Sequence, residues 1–202
     1  MSPRRPRGLK RSLWLHDIRC LIYTNKNGFT LDGIHRERHG MFLQTFEAFL
    51  LNLARHLPNV TVCRGSIVKT GNTVRIRRRL IKGALEESSR YIILPVDYPN
   101  HVFTYVIDKC RKFLYRVEIS SYPELDSVDK TVLEILGNYC FKNMSNRYGQ
   151  ESWFEGDCAP FSIFYTSLIV QTQPLQILSR RESKNFRIRL GEFLTGNVDN
   201  WF

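Results

Sequence analysis

The chain of 202 residues carries 30 Lys and Arg against 19 Asp and Glu, a formal charge of +11, with 43% hydrophobic residues and an isoelectric point of ≈ 9.7. That hydrophobic content excludes an intrinsically disordered chain, and the length suffices to bury roughly 70% of the unfolded surface without disulfides. Five cysteines, Cys20, Cys63, Cys110, Cys140 and Cys158, are odd in number and contain no C-x-x-C pair. This argues against a secreted disulfide framework and a four-ligand zinc site, and for an intracellular, reducing compartment.

Residues 1–11 form a basic arm, expected to be flexible, which fits a nuclear-localisation signal, a polyanion-binding arm or a plain solvated terminus. The apolar stretch behind it is cut by His16, Asp17 and Arg19, so no signal peptide is expected. Residues 159–176 are the longest nearly uncharged stretch, but Ser162, Thr166, Ser167, Gln171, Thr172, Gln173 and Pro174 make it too polar for a membrane span. Residues 12–202 read as a single domain.

Within residues 41–57, Phe42, Phe46, Phe49, Leu50, Leu53 and Leu57 keep helical spacing and predict an amphipathic core helix. Residues 74–80 change to period two and predict a strand, with Arg75, Arg77 and Arg79 on one face as either a polyanion-binding stripe or a solvated basic face. Three strands follow over residues 91–96, 102–107 and 112–119, the last two joined by a polar turn at 108–111. Ser121 and Glu124 have capping-box spacing, and Leu125, Val128, Val132, Ile135, Leu136 and Tyr139 predict the helix behind it. Residues 158–170 predict a buried helix with Pro160 in its first turn. Residues 179–202, basic and then apolar, carry no assignable fold. The sum is α+β, a small central sheet flanked by helices.

Cys158 thus stands at a helix N-terminus, where amides and macrodipole favour the nucleophilic thiolate. Thiol catalysis also needs an imidazole, a group to orient it and oxyanion donors. His16, His35 and His39 lie in irregular polar contexts, and His56 ends a helix. His101 opens a strand and Glu118 ends the next, 17 residues later, so a tight hairpin brings imidazole and carboxylate together. A strand-edge histidine and an inert core cysteine fit the same spacing.

These residues carry a resemblance. Tyr91-Ile-Ile-Leu-Pro-Val-Asp-Tyr-Pro-Asn-His-Val-Phe-Thr-Tyr-Val-Ile-Asp108 resembles the strand, proline, histidine and "V-I-D" segment of ubiquitin-like-protein-specific (sentrin/SUMO) cysteine proteases, in the clan that includes adenain. Lys112-Phe-Leu-Tyr-Arg-Val-Glu118 is similar to the strand that ends in that family's catalytic acid, with Glu as the adenain-like choice. Gly156-Asp-Cys-Ala-Pro-Phe-Ser-Ile-Phe164 resembles the opening of its nucleophile helix, and Trp14-Leu-His-Asp17 weakly resembles its "W-L-x-D" motif. The resemblance spans most of residues 12–172 and is specific in 91–119 and 150–164.

It implies a papain-like cysteine protease fold and a Cys-His-Glu triad, with Cys158 as nucleophile, His101 as its acid and base, Glu118 as orienter and Gln150 as oxyanion donor beside the Cys158 amide. It further implies cleavage after a small, Gly-rich tail of a ubiquitin-like modifier conjugate or of a viral precursor, with no metal or organic cofactor. DNA or another polyanion is the further partner that the charge and the adenain likeness suggest, and Cys140 fits either a plain core cysteine or a counterpart of adenain's second, peptide-linked cysteine. The sequence departs from the family pattern at Val102, which replaces an aromatic, at Ala159, which replaces a glycine, and at Gln150, eight residues before Cys158. A catalytically decayed homologue and a basic nucleic-acid-binding protein are the alternatives, although no nucleic-acid-binding motif is visible.

Overall fold

The computed structural model describes residues 43–70, 73–98, 101–120, 124–144, 153, 157–195 and 201. In chain order the elements are α1 (Leu43–His56), β1 (Val60–Val62), β2 (Ile67–Thr70), β3 (Thr73–Ile76), α2 (Arg78–Glu86), β4 (Tyr91–Tyr98), β5 (His101–Asp108), β6 (Phe113–Val117), α3 (Ser127–Leu136), β7 (Cys140–Asn143), α4 (Cys158–Val170) and α5 (Arg180–Thr195). One sheet runs β3-β2-β4-β5-β6-β7, and β1 pairs with β4 beside β2. The basic arm and Trp14-Leu-His-Asp17 lie outside the described residues.

β4, β5 and β6 are antiparallel neighbours, as the three apolar runs predict, with Asp97 opposite Val102 and Thr104 opposite Val117. Helices cover both faces, which is why β4 reads as an unbroken apolar run instead of alternating. Along β5 the alternation sorts side chains between two cores. Val102 and Val106 join Phe46, Phe49 and Leu50 of α1 and Phe161 and Ile163 of α4. Phe103, Tyr105 and Ile107 join Ile81 and Ala84 of α2 and Val128 and Val132 of α3.

α4 is buried on almost every side, so hydrophobicity alone cannot set its rotation. Two hydroxyls do. Ser162 Oγ donates to the Val117 carbonyl at 2.8 Å, and the Thr166 and Thr104 hydroxyls lie 2.6 Å apart. Cys158, Ser162 and Thr166 are spaced i, i+4, i+8 and share one helical face. The bonds that fix the last two against the sheet therefore aim the first at the start of β5.

Three expectations are corrected. The strand over residues 74–80 ends at Ile76; Arg77 is the residue before α2, and Arg79 lies within that helix. Ile81 and Ala84, one helical turn apart, are buried, and this apolar pair draws the arginines behind Ile76 into a helix. The capping box of α3 is Asp126 with Asp129, and Ser121 of the expected box lies outside the described residues: the Asp126 carboxylate accepts the Val128 and Asp129 amides at 2.7 and 2.8 Å. The helix stops at Gly137 (φ 74), leaving Tyr139 outside it. Residues 180–195, unassigned from sequence, form α5, opened by Ser179 and Glu182: the Ser179 amide donates to the Glu182 carboxylate at 2.7 Å.

Thr166→Val strands the buried Thr104 hydroxyl. We predict a loss of about 1–3 kcal/mol, read by urea denaturation, with much of it recovered in the Thr104→Val/Thr166→Val double variant.

Candidate active site

His101 opens β5 opposite Tyr98, at the same end of the sheet where β6 finishes. Continuing the Thr104/Val117 register puts Glu118 opposite Phe103, one diagonal step from His101 on the same strand face. The hairpin thereby delivers what its spacing predicts: His101 Nε2 lies 2.6 Å from Glu118 Oε1. Glu118 is 1% exposed and the imidazole 23% exposed. Since Nε2 faces the carboxylate, Nδ1 is left for the thiol.

That thiol belongs to Cys158, the first residue of α4. It is hydrogen-bonded to His101, and the backbone amides of Val102 and Ala159 also donate to its sulfur. Burial alone would push the Cys158 pKa up, but the His101 hydrogen bond and those two amides outweigh it and hold it below the ordinary thiol value of 9.0. Burial likewise works to lower the His101 pKa, and the hydrogen bonds with Cys158 and Glu118 overcome it, pushing the imidazole up to about 9. Both shifts favour the thiolate–imidazolium pair. The structure therefore brings together three of the four residues expected to form a catalytic set; the fourth, Gln150, lies outside the described residues.

The residue before the thiol introduces a conflict. Asp157 carries a carboxylate at the helix end where Cys158 must ionise, and a second negative charge there disfavours thiolate. Asp157 is wholly buried, and its carboxylate is bound by the equally buried guanidinium of Arg187 from α5. Upstream, Trp153 is 5% exposed and packs edge-on against Phe161 and Phe186, pinning the approach to α4. Neither anchor stands out in the sequence. The capping pair Ser179 and Glu182, followed by Ser183, Arg187 and Leu190 at helical spacing, is the signal that could have found the element carrying Arg187.

Arg116 is a residue of the cluster that sequence reasoning does not find. It points to the Glu118 side of β6, with Nε 2.6 Å and Nη2 2.5 Å from Glu118 Oε2. Val102 is buried in the core rather than standing over the site, and Ala159 is fully buried. Arg75, Arg77 and Arg79 are exposed, but only Arg75 is on a strand. Cys140 lies opposite Phe113, at the far end of β6 from Glu118. Cys63, Cys110, Cys140 and Cys158 are free thiols. Among the described residues, no group of His, Cys, Asp and Glu could hold a metal ion, and no helix is long and apolar enough to cross a membrane.

No protein-family model and no curated relative matches the sequence. Solved structures do match the fold. The SUMO protease Ulp1 with its catalytic cysteine oxidised to a sulfinic acid aligns with a TM-score of 0.58 at 15% identity, over 96% of this chain and 97% of that one. The C-terminal Ulp1 protease domain in complex with Smt3, the yeast ortholog of SUMO, gives 0.59 at 11% identity over 96% and 97%. The chain has the Ulp1 protease fold. The Chaetomium thermophilum Ulp1-like SUMO protease catalytic domain aligns at 0.56 and 12% identity, covering 99% of this chain and 94% of its own. The α+β protease fold implied by the sequence resemblance thus holds across nearly the whole chain, at identities where the agreement is one of fold.

Two measurements test the site on this Ulp1-type scaffold. Iodoacetamide alkylation of Cys158 in the intact protein should titrate below the ordinary thiol value of 9.0, whereas His101→Ala should move the apparent pKa of alkylation up toward that value. Arg187→Met, which leaves the Asp157 carboxylate buried and uncompensated, should lower unfolding stability by about 3–5 kcal/mol in urea denaturation.

Proposed function

We propose that the protein is a cysteine protease acting on conjugates or precursors of a ubiquitin-like modifier, with Cys158, His101 and Glu118 as its triad. The observation that carries this reading is the continuous contact from the Cys158 thiol through the His101 ring to a buried carboxylate, at the N-terminus of a helix on a Ulp1-type fold.

In this mechanism the Cys158 thiolate attacks the scissile carbonyl carbon, and the carbon–sulfur bond forms as the carbonyl oxygen takes negative charge. The Cys158 amide, at the open end of α4, and the Gln150 side chain donate to that oxyanion. The His101 imidazolium passes its proton to the departing amine as the carbon–nitrogen bond breaks, leaving a thioester. His101, now neutral, takes a proton from water, whose oxygen attacks the thioester carbonyl. The acid product leaves and the thiolate–imidazolium pair is restored. Glu118 holds the ring in its working orientation throughout.

For the substrate, the support is the likeness to a domain solved in complex with Smt3, together with the sequence resemblance, which implies a narrow passage for a Gly-rich tail. A viral precursor ending its cleavage site in small residues fits the same chemistry. A panel of electrophile-tagged SUMO-type and ubiquitin-type modifiers decides the class. We expect an adduct with at least one, lost in Cys158→Ala and kept in Cys63→Ala and Cys110→Ala. An adduct that survives Cys158→Ala contradicts the assignment of the nucleophile. Because His101 must carry its proton to the leaving amine, kcat/KM should fall as pH rises through about 9.

A polyanion is a second partner. Arg75, Arg77 and Arg79 are exposed, and among the described residues no ion pair engages them, whereas Arg78 between them meets Glu134 at 3.3 Å. Arg75 shares a row of the sheet with Val68, Asp97 and Val102. It therefore lies three strand spacings, about 14 Å, from the backbone that touches the thiol. Replacing all three arginines by glutamine should weaken DNA binding and flatten its salt dependence, by about 0.9 in log–log slope for each phosphate that is no longer neutralised. Peptide turnover should stay unchanged. Binding that is undetectable or insensitive to salt in the intact protein contradicts a polyanion role.

A further inference from the structure

We infer that Arg116 is the positioning residue of the triad: it locks the Glu118 carboxylate in one orientation and ties it to the first turn of α3. The catalytic consequence rests on the protease reading above, whereas the geometry stands by itself.

Glu118 has two carboxylate oxygens and the structure gives each one task. Oε1 faces His101 Nε2 at 2.6 Å, and Oε2 accepts from Arg116 Nε and Nη2 at 2.6 and 2.5 Å. With Oε2 occupied, the carboxylate cannot rotate without breaking two charge-assisted bonds, so Oε1 keeps a fixed bearing on the imidazole. At 1% exposure the carboxylate is almost wholly removed from solvent, and the guanidinium supplies the hydrogen bonds that solvent would otherwise give it.

The guanidinium is itself held from behind. Its Nη1 lies 2.7 Å from Asp126 Oδ2 and 2.7 Å from Asp129 Oδ2, the two residues of the α3 capping box. Tyr105 donates to the other Asp129 oxygen at 2.5 Å, and the Phe103 ring stacks under the guanidinium carbon at 4.8 Å. Arg116 is 2% exposed. Only a planar fork serves three carboxylates at once in this way; a lysine ammonium, a point charge on a flexible stem, cannot. The relay of contacts thus runs from the α3 cap through Arg116 and Glu118 to His101 and Cys158. An arginine serving only the fold would use the same bonds, so the test must read the thiol rather than stability.

The experiment measures iodoacetamide alkylation of Cys158 at pH 6.5 in Arg116→Met, Arg116→Lys, Glu118→Gln, Asp126→Asn and the Arg116→Met/Glu118→Gln double variant, each checked for a folded thermal transition. If Arg116 acts through Glu118, Arg116→Met should slow alkylation severalfold, as the Cys158 pKa rises from its lowered position toward the ordinary thiol value of 9.0. It should add little to Glu118→Gln, and Arg116→Lys should recover part of the rate. Should Arg116→Met fail to fold, Arg116→Lys and Asp126→Asn carry the same test, each expected to slow the reaction by a smaller factor. Alkylation at the intact rate in the folded Arg116 variants, or a full independent loss on the Glu118→Gln background, overturns the inference. In turnover of a peptide or modifier substrate, kcat should fall with KM unchanged. If the intact protein turns over no substrate, the protease reading fails while alkylation still decides the role of Arg116.

Discussion

Burying a carboxylate at 1% exposure costs its hydration unless its neighbours replace it, and Glu118 is met from two sides. The imidazole of His101 takes one oxygen and the guanidinium of Arg116 the other. Without that arrangement the His101 ring loses both its orientation and much of the field that keeps it protonated, and the Cys158 thiol loses its counterion. The surrounding architecture is a set of packing decisions that hold this carboxylate and this thiol at one end of the sheet.

Two helices do most of that work, and by different means. α4 approaches from one face and is fixed in rotation by the Ser162 and Thr166 hydroxyls, so that Cys158 faces the first residues of β5. α3 lies on the opposite face and contributes no group to the Cys158–His101–Glu118 cluster; its capping box supplies the acids that hold Arg116 from behind. α5 adds Arg187, which removes the penalty of a buried Asp157 beside Cys158. Each of these is a polar device within an otherwise apolar interior, and each trades desolvation for a single permitted geometry.

Much of the site is legible in the sequence because it depends on local pattern. A strand, a four-residue turn and a second strand fix the offset between His101 and Glu118, and the apolar run beginning at Cys158 is long enough to be a helix whichever way it faces. Resemblance supplies the roles, which spacing alone leaves open. What cannot be read depends on contacts distant in sequence. Arg116 looks like any charged residue in a strand until Asp126 and Asp129, ten and thirteen residues on, close around it. β1, β2 and β7, three or four residues each, are strands only because β4 and β6 offer them partners. The arginine-rich stretch reads with period two because Val74 and Ile76 set that rhythm, and the burial of Ile81 and Ala84 overrides it. Ser179 and Glu182 are a readable helix start masked by the basic composition around them.

On this reading the buried carboxylate holds Cys158 and His101 as a thiolate–imidazolium pair. NMR titration of the His101 ring in the intact protein tests it most directly. The imidazolium should persist up to about pH 9, and its titration should fall to lower pH when Glu118 is replaced by glutamine. An imidazole that titrates near its ordinary value of 6.5, with no response to Glu118→Gln, would contradict it.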